Sequence, residues 1–381
     1  MDMAHDPAFG ALTPPGSTRE RWGGVDAAEW AELAGDVADP NCFYAPELLI
    51  PAIKHLAQPG EVRMIAARAD GRLIGLLPVT VRDRHGRLPI ANVANWMHAH
   101  CFYGAPLLRR GHEAAAWADI LGQLDAASWA PGFLHLSNLD AAGAAAVGLE
   151  AACFGQQRML REIHRHDRAM LRSDASADAY WEANVRSKKR KEIRRLQKRL
   201  GEMGAVQTHT LDDGAMLQGW CDDFLTLEAA GWKGANGSAL RCSDSDSAFL
   251  RAALVAAWRA DRLIFLRLDL DDKPIAMLIN FVAMDGSFSF KIAFDEDLAR
   301  FSPGVLIEIE NLRVVQEHAS VAWMDSCAAP DHPMIDSLWA ERRSIAQYRV
   351  ALKGGWRRKA ALVAANGIES LAARMKKEEP A

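Results

Sequence analysis

Ser287-Phe288-Ser289-Phe290-Lys291-Ile292-Ala293-Phe294 and, after a short acidic break, Arg300-Phe301-Ser302-Pro303-Gly304 decide the fold. In the first run Phe288, Phe290, Ile292 and Phe294 alternate with smaller or polar side chains, the period-two pattern of a half-buried strand. Just before it, Met284-Asp285-Gly286 offers an Asp-Gly pair suited to a tight hairpin turn, so the apolar residues 274–283 make an antiparallel partner. Residues 262–268 form a third strand, joined through Asp271-Asp272-Lys273. After the second run, Val305, Leu306, Ile309, Leu312 and Val315 recur at helical spacing, and 321–324 is short, apolar and strand-like. A strand, a crossover helix and a returning strand form a right-handed parallel unit. Residues 300–304 fall at the carboxyl end of its first strand, where such folds hold their ligands.

The loop reads as an anion seat. Ser302 is placed to cap the helix, Pro303 suits the first helical position, and Gly304 allows close approach to the backbone. The unpaired amides of a helix start, with their partial positive charge, hold a phosphate without a dedicated side chain. Arg300, Phe301, Ser302, Pro303, Gly304 and Val305 are therefore the candidate cofactor-binding residues.

A chain of 381 residues suggests two domains, and its 50% hydrophobic and 25% charged residues are those of an ordinary soluble protein. The net charge of −4 demands no polyanionic partner. Residues 1–17 carry Asp2 and Asp6 and no long apolar run, so they read as a disordered tail and not as an export signal. Residues 141–155 are Ala- and Gly-rich with Glu150 inside, short of the ~20 apolar residues a membrane span needs. The six cysteines show no Cys-x-x-Cys spacing and read as reduced thiols, which makes the expected compartment the cytoplasm.

Residues 18–172 carry their own hairpin (62–81, turned at Asp70-Gly71), a helix over 113–129 and a strand at 133–136. That order of hairpin, helix and strand repeats the later one, so a duplicated, degenerate copy is expected. His98-x-His100 and His164-x-His166 lack the third and fourth ligands of a zinc site, so no metal is expected. A helix over 178–203 holds nine Lys or Arg against one Glu between Arg186 and Arg199, with only Ile193, Leu196 and Leu200 marking an inward stripe. Such a field attracts a phosphate-rich or acidic ligand. Without aromatic interleaving, nucleic acid ranks last among these. Gly231-Trp232-Lys233-Gly234 has the composition of a loop that closes over a ligand. Beyond Pro333 the sequence suggests another helix, with Arg342 and Arg343 near solvent, and then a basic helical tail over 351–381 able to touch a membrane surface or a synthase complex.

An antiparallel meander followed by a pyrophosphate loop, helix and parallel strand resembles the acyl-CoA site of the GNAT N-acetyltransferase superfamily. Gly231-Trp232-Lys233-Gly234, Lys291-Ile292-Ala293-Phe294-Asp295, Phe301-Ser302-Pro303-Gly304, Asp325-Ser326-Cys327 and Leu338-Trp339-Ala340-Glu341-Arg342-Arg343 resemble its CelD/BcsL-like branch, linked with cellulose and exopolysaccharide biosynthesis. The usual superfamily loop, Gln/Arg-x-x-Gly-x-Gly/Ala, is reduced here to a single glycine. The resemblance implies an α+β fold of two GNAT-like domains, 18–172 degenerate and 173–350 the acyltransferase, with mixed central sheets flanked by helices. It implies acetyl-CoA as donor, a saccharide or other small-molecule acceptor, and Trp232, Lys233 and Lys291 on the substrate. Asp325, at the end of the strand after the crossover helix, is the first candidate for general base and Asp295 the second. A Fem-like transfer from aminoacyl-tRNA and a non-catalytic accessory role in polysaccharide synthesis are the alternatives, since one fold hosts all three.

Overall fold

Left-handed backbone at Asp271 (φ 49°) and Asp272 (φ 61°) produces the tight turn that the acidic sequence forecast, whereas in the next hairpin the left-handed residue is Met284 (φ 51°) and not the Asp-Gly pair, whose Gly286 already pairs in the strand. The computed structural model in which they are seen describes residues 21–318 and 320–378. These fall into two compact units: one holds 45–57 and 167–343, the other 21–44, 58–166 and 344–378. The exchange differs from the expected division at 172 and 350. Its reason is that two strands, Leu160–Leu171 and Glu341–Ala351, each begin in one unit and end in the other. The segment 1–17 lies outside the described residues.

The first unit contains β1 (Leu160–Leu171, through its second half), α1 (Ala177–Asn184), α2 (Ser187–Gly201), β2 (Val206–Thr210), α3 (Leu217–Ala230), α4 (Asp244–Arg259), β3 (Leu263–Leu270), β4 (Lys273–Ala283), β5 (Gly286–Phe294), α5 (Pro303–Glu317) and β6 (Trp323–Asp325). Its sheet runs β1-β6-β5-β4-β3-β2, antiparallel except where β5 and β6 lie parallel. It is a mixed α+β fold with helices flanking a mixed sheet. On one face Phe249 of α4 packs against Phe290, and Trp220 and Phe224 of α3 against Phe265, edge to face. On the other, Leu306, Ile307 and Leu312 of α5 join the core with Leu278 and Met324.

Three elements depart from the sequence reading. The helix expected over 178–203 breaks at the extended pair Val185-Arg186, where buried Val185 turns inward and Arg190 donates to the freed carbonyls of Glu182 (2.7 Å) and Val185 (2.6 Å). Ile193, Leu196 and Leu200 do form the buried stripe of α2. Beyond Pro333 there is only a short turn, Ile335–Ser337, and then the strand Glu341–Ala351, so Arg343 is 5% exposed and not near solvent. A helix the sequence reading passed over, Pro46–His55, packs on α4, and its Glu47 faces Arg262 at 3.6 Å.

The second unit repeats the same order. Antiparallel strands Arg63–Ala69, Arg72–Arg82 and Asn92–Asn95 lead through the helix Glu113–Ala126 to Phe133–Asp140, which lies parallel to Asn92–Asn95. Only Val93↔Leu134 and Ala94↔His135 pair before those strands part. The chain fills the gap itself. The amide of Gly104 donates to Asn138 (2.8 Å), and Asn95 Nδ2 donates to the carbonyls of Gly104 (3.0 Å) and Ser137 (2.9 Å). A Cβ on Gly104 would lie 2.2 Å from the Ser137 carbonyl, so only glycine threads here. The basic tail helix, Trp356–Glu378, is held at its start by Arg358, which donates to the carbonyls of Leu124, Ala127 and Ala130 (2.7–3.2 Å). Among the described residues no helix is long and apolar enough to cross a membrane, and no three His, Cys, Asp or Glu side chains gather as a metal set.

Candidate functional site

β5 and β6 pair only at Gly286↔Trp323, Ser287↔Met324 and Phe288↔Asp325. β6 then ends while β5 continues to Phe294, so residues 289–294 have an edge with no strand beside it among the described residues. Within that stretch the register against β4 slips: Asn280 faces Ser289 and Ile279 faces Lys291, leaving Phe290 as the extra residue of a bulge. Bulges re-aim backbone groups and recur beside active sites.

The far end of the open stretch meets the start of α5. Ser302 does not cap the helix with its side chain. It sits in the left-handed region (φ 55°, ψ 53°), and its carbonyl takes the amides of Val305 (2.9 Å) and Leu306 (3.1 Å). Pro303 has no amide, so Gly304 presents the one amide of residues 302–305 that lacks a partner among the described residues. A Cβ there would stand 3.2 Å from Phe294 Cδ1 and 3.7 Å from Ile292 Cδ1, so glycine lets helix and strand close up. Phe301 is a core residue, 3% exposed, with the exposed Arg300 guanidinium 4.8 Å from its ring centre. The seat is thus one amide and one cation, narrower than the sequence suggested.

Beside the same strand end is a cavity of about 400 Å³ lined by Glu228, Trp232, Lys233, Ile292, Phe294 and Met334, among others. Gly231-Trp232-Lys233-Gly234 is no free loop. Residues Trp232–Ala235 make a helical turn, fixed by Glu296 accepting from the Trp232 amide (2.7 Å). Lys233 donates to Glu228 (3.0 Å) and to the carbonyl of Ile292 (3.2 Å). Trp232 remains 56% exposed. Lys291 does not line this cavity: it points to the α3 and α4 side, where burial lowers its pKa against the opposing charge of Glu228.

The two candidate bases are otherwise engaged. Asp325 is fully buried, and its Oδ2 accepts from Arg168 (2.7 Å) and Arg343 (2.9 Å) while its Oδ1 accepts from the Cys327 amide (2.9 Å). A catalytic role needed burial to raise its pKa. Burial does push that way, but the two guanidiniums outweigh it and hold the carboxyl below the usual range. Asp295 caps the short turn after β5, accepting from the Asp297 amide (2.9 Å).

A carboxyl that the sequence reading missed is Glu308. Gly304, Glu308 and Asn311 share the sheet-facing stripe of α5. Gly304 touches Ile292 and Phe294, while Asn311 reaches Asn280 (2.7 Å) and Met324 Sδ (3.2 Å). Glu308 lies between them along that stripe. It is 4% exposed, accepts from Asn311 Nδ2 (3.0 Å), and burial pushes its pKa up to about 7. The available signal was a charged residue on an apolar helix stripe.

Open edge, bulge and helix start all lie in one stretch of sequence. Residues 187–332 match the family model of the acetyltransferase (GNAT) domain. The matched segment begins at α2 and ends beyond β6, so it includes every feature above except Arg168, Met334 and Arg343. The crystal structure of FemX is similar at a TM-score of 0.56 and 9% identity, over 85% of this chain and 96% of that one. A conserved protein of unknown function from Bacteroides thetaiotaomicron is similar at a TM-score of 0.54 and 12% identity, over 86% and 98%. These likenesses show the fold. No curated protein sequence matches the chain.

Proposed function

We propose that the matched segment is an acyltransferase that takes an acetyl group from acetyl-CoA and passes it to an amine or hydroxyl of a sugar or polysaccharide precursor. The observation that carries this reading is the parting of β5 from β6 after Phe288. An extended arm bearing amides, such as the pantetheine of coenzyme A, can lie along residues 289–294 as an added strand, with its diphosphate toward Gly304 and Arg300. The thioester is then near the bulge at Phe290, where a re-aimed amide can stabilise the oxyanion. Attack by the acceptor forms a C–N or C–O bond and breaks the C–S bond. Glu308 is the side chain we assign to receive the acceptor's proton, since a carboxyl near neutrality is a more useful base than one at the ordinary value. Trp232 and Lys233 line the acceptor side. The saccharide class rests on the resemblance to the CelD/BcsL-like branch.

Titration calorimetry with acetyl-CoA, combined with amide hydrogen exchange, tests the reading. Binding with new protection at 289–294 supports it; absence of binding, or protection elsewhere alone, sinks it. The nine cations between Arg186 and Arg199 favour a second reading, Fem-like transfer from aminoacyl-tRNA. It predicts tRNA binding at physiological salt and no response to acetyl-CoA.

A further inference from the structure

The strongest feature that the transfer site leaves unused is a second cavity of about 740 Å³, between the start of α2 and residues 333–337. Arg186, Lys188 and Lys189 line it, with Glu192, Asp336 and Ser337. Its acids are shared with cations outside it: Glu192 is paired with Arg195 (2.6 Å), and Asp336 lies 3.8 Å from Arg342, its buried Oδ1 without a hydrogen bond. Its own cations have no such close partners, Lys188 feeling Glu192 only at longer range. Arg186 and Lys188 are exposed and make no ion pair among the described residues, and Lys189 is half-buried with the neutral Ser337 hydroxyl as its partner. Burial without a counter-charge lowers the Lys189 ammonium's pKa. A cavity of this size with three cations and no close ion pair to any of them is suited to an anion of high charge density, and the uncapped start of α2 adds backbone amides of the same sign.

We propose that this cavity binds a phosphate group carried by one of the two substrates of the acyl transfer. The inference rests on the acyltransferase reading for what the substrates are, and on the cavity for where the phosphate sits. One segment of chain walls both cavities: His332 and Met334 face the first, Pro333, Asp336 and Ser337 the second. A phosphate held by Lys188 and Lys189 is therefore one loop-width from the transfer site, within reach of a sugar phosphate acceptor or of the 3′-phosphate of the donor.

The test compares the parent with Arg186→Glu/Lys188→Glu, two exposed positions whose reversal leaves the Lys189 to Ser337 contact in place, after confirming an unchanged melting temperature. Calorimetry uses inorganic pyrophosphate, coenzyme A, 3′-dephospho-coenzyme A, and glucosamine 1-phosphate against glucosamine. The site predicts that pyrophosphate binds the parent and binds the variant at least tenfold more weakly. If the phosphate is the acceptor's, glucosamine 1-phosphate loses the same factor while coenzyme A does not. If it is the donor's, coenzyme A falls to the affinity of its 3′-dephospho form and that form is unaffected. Equal binding of all probes by parent and variant, or no pyrophosphate binding by the parent, overturns the proposal. Failure of the acyltransferase reading looks different: acetyl-CoA leaves residues 289–294 unprotected while pyrophosphate still binds.

Discussion

Arg343 Nη1 lies 2.9 Å from Asp325 Oδ2, the same oxygen that Arg168 takes at 2.7 Å, and all three side chains are buried. This carboxylate joins β6 to its neighbours, and two positive charges depend on it.

Asp325→Asn is accordingly expected to act on stability first. Removing one member of a buried charge cluster costs about 3–5 kcal/mol, read as a lower urea midpoint. Because the folded carboxyl titrates below its ordinary 3.8, its contribution is complete above that pH and is lost as pH falls through the lowered folded value. The gap between parent and variant should therefore close only in acid, and a gap that is constant down to pH 2 would count against the ion pair.

Glu308→Gln separates stability from chemistry. With a folded pKa of about 7 against 4.5 unfolded, the parent binds more protons when folded between those values, so its stability falls as pH climbs through that window. The variant keeps the Asn311 contact and escapes the penalty, up to about 3 kcal/mol. It should melt above the parent at pH 8 and near it at pH 5, yet lose the rise in kcat/KM through about pH 7. An unchanged pH profile removes Glu308 from the proton transfer.

Trp232→Ala, at a position 56% exposed, should leave stability within about 0.5 kcal/mol while raising KM for the acceptor. Lys233→Met leaves the carboxylate of Glu228 buried without its cation and should cost about 2 kcal/mol in a denaturant titration. Equal effects of the two changes on stability would contradict the cavity geometry.

Gly304→Ala places a Cβ 3.2 Å from Phe294 Cδ1, so the ring must shift by a few tenths of an ångström, and where it is held the crowding costs about 1 kcal/mol. Phe294→Leu, by opening the same spot, should recover part of the loss in the double variant. Additive losses in thermal melts would mean that helix and strand do not meet there.

The meander and crossover were legible because their signals are local: alternation over 287–294, and the acidic pair Asp271-Asp272 at a turn that needs positive φ. What was not legible depends on distant partners. Asp325 looked free because Arg168 is 157 residues away, and Arg343 looked solvent-facing because its partner Asp325 lies 18 residues back in the chain. The same unseen pairing hid the strand 341–351 behind the helix expected beyond Pro333, since a buried Arg interrupts the apolar alternation expected of a strand. Ser302 was misassigned as a side-chain cap because its left-handed backbone turns its carbonyl onto the amides of Val305 and Leu306, while its side chain makes no cap bond.

The repeated fold has divided its labour at the seam between its parallel strands. In the second unit Asn95 and Gly104 stitch that seam with the chain's own atoms, and the Gly104 threading leaves no room for even a methyl group. That copy has traded receptivity for permanence: nothing from solution can lie where its own backbone already does. In the first unit the seam stays unsewn over residues 289–294, and on the acyltransferase reading proposed above what closes it would come and go with each turnover.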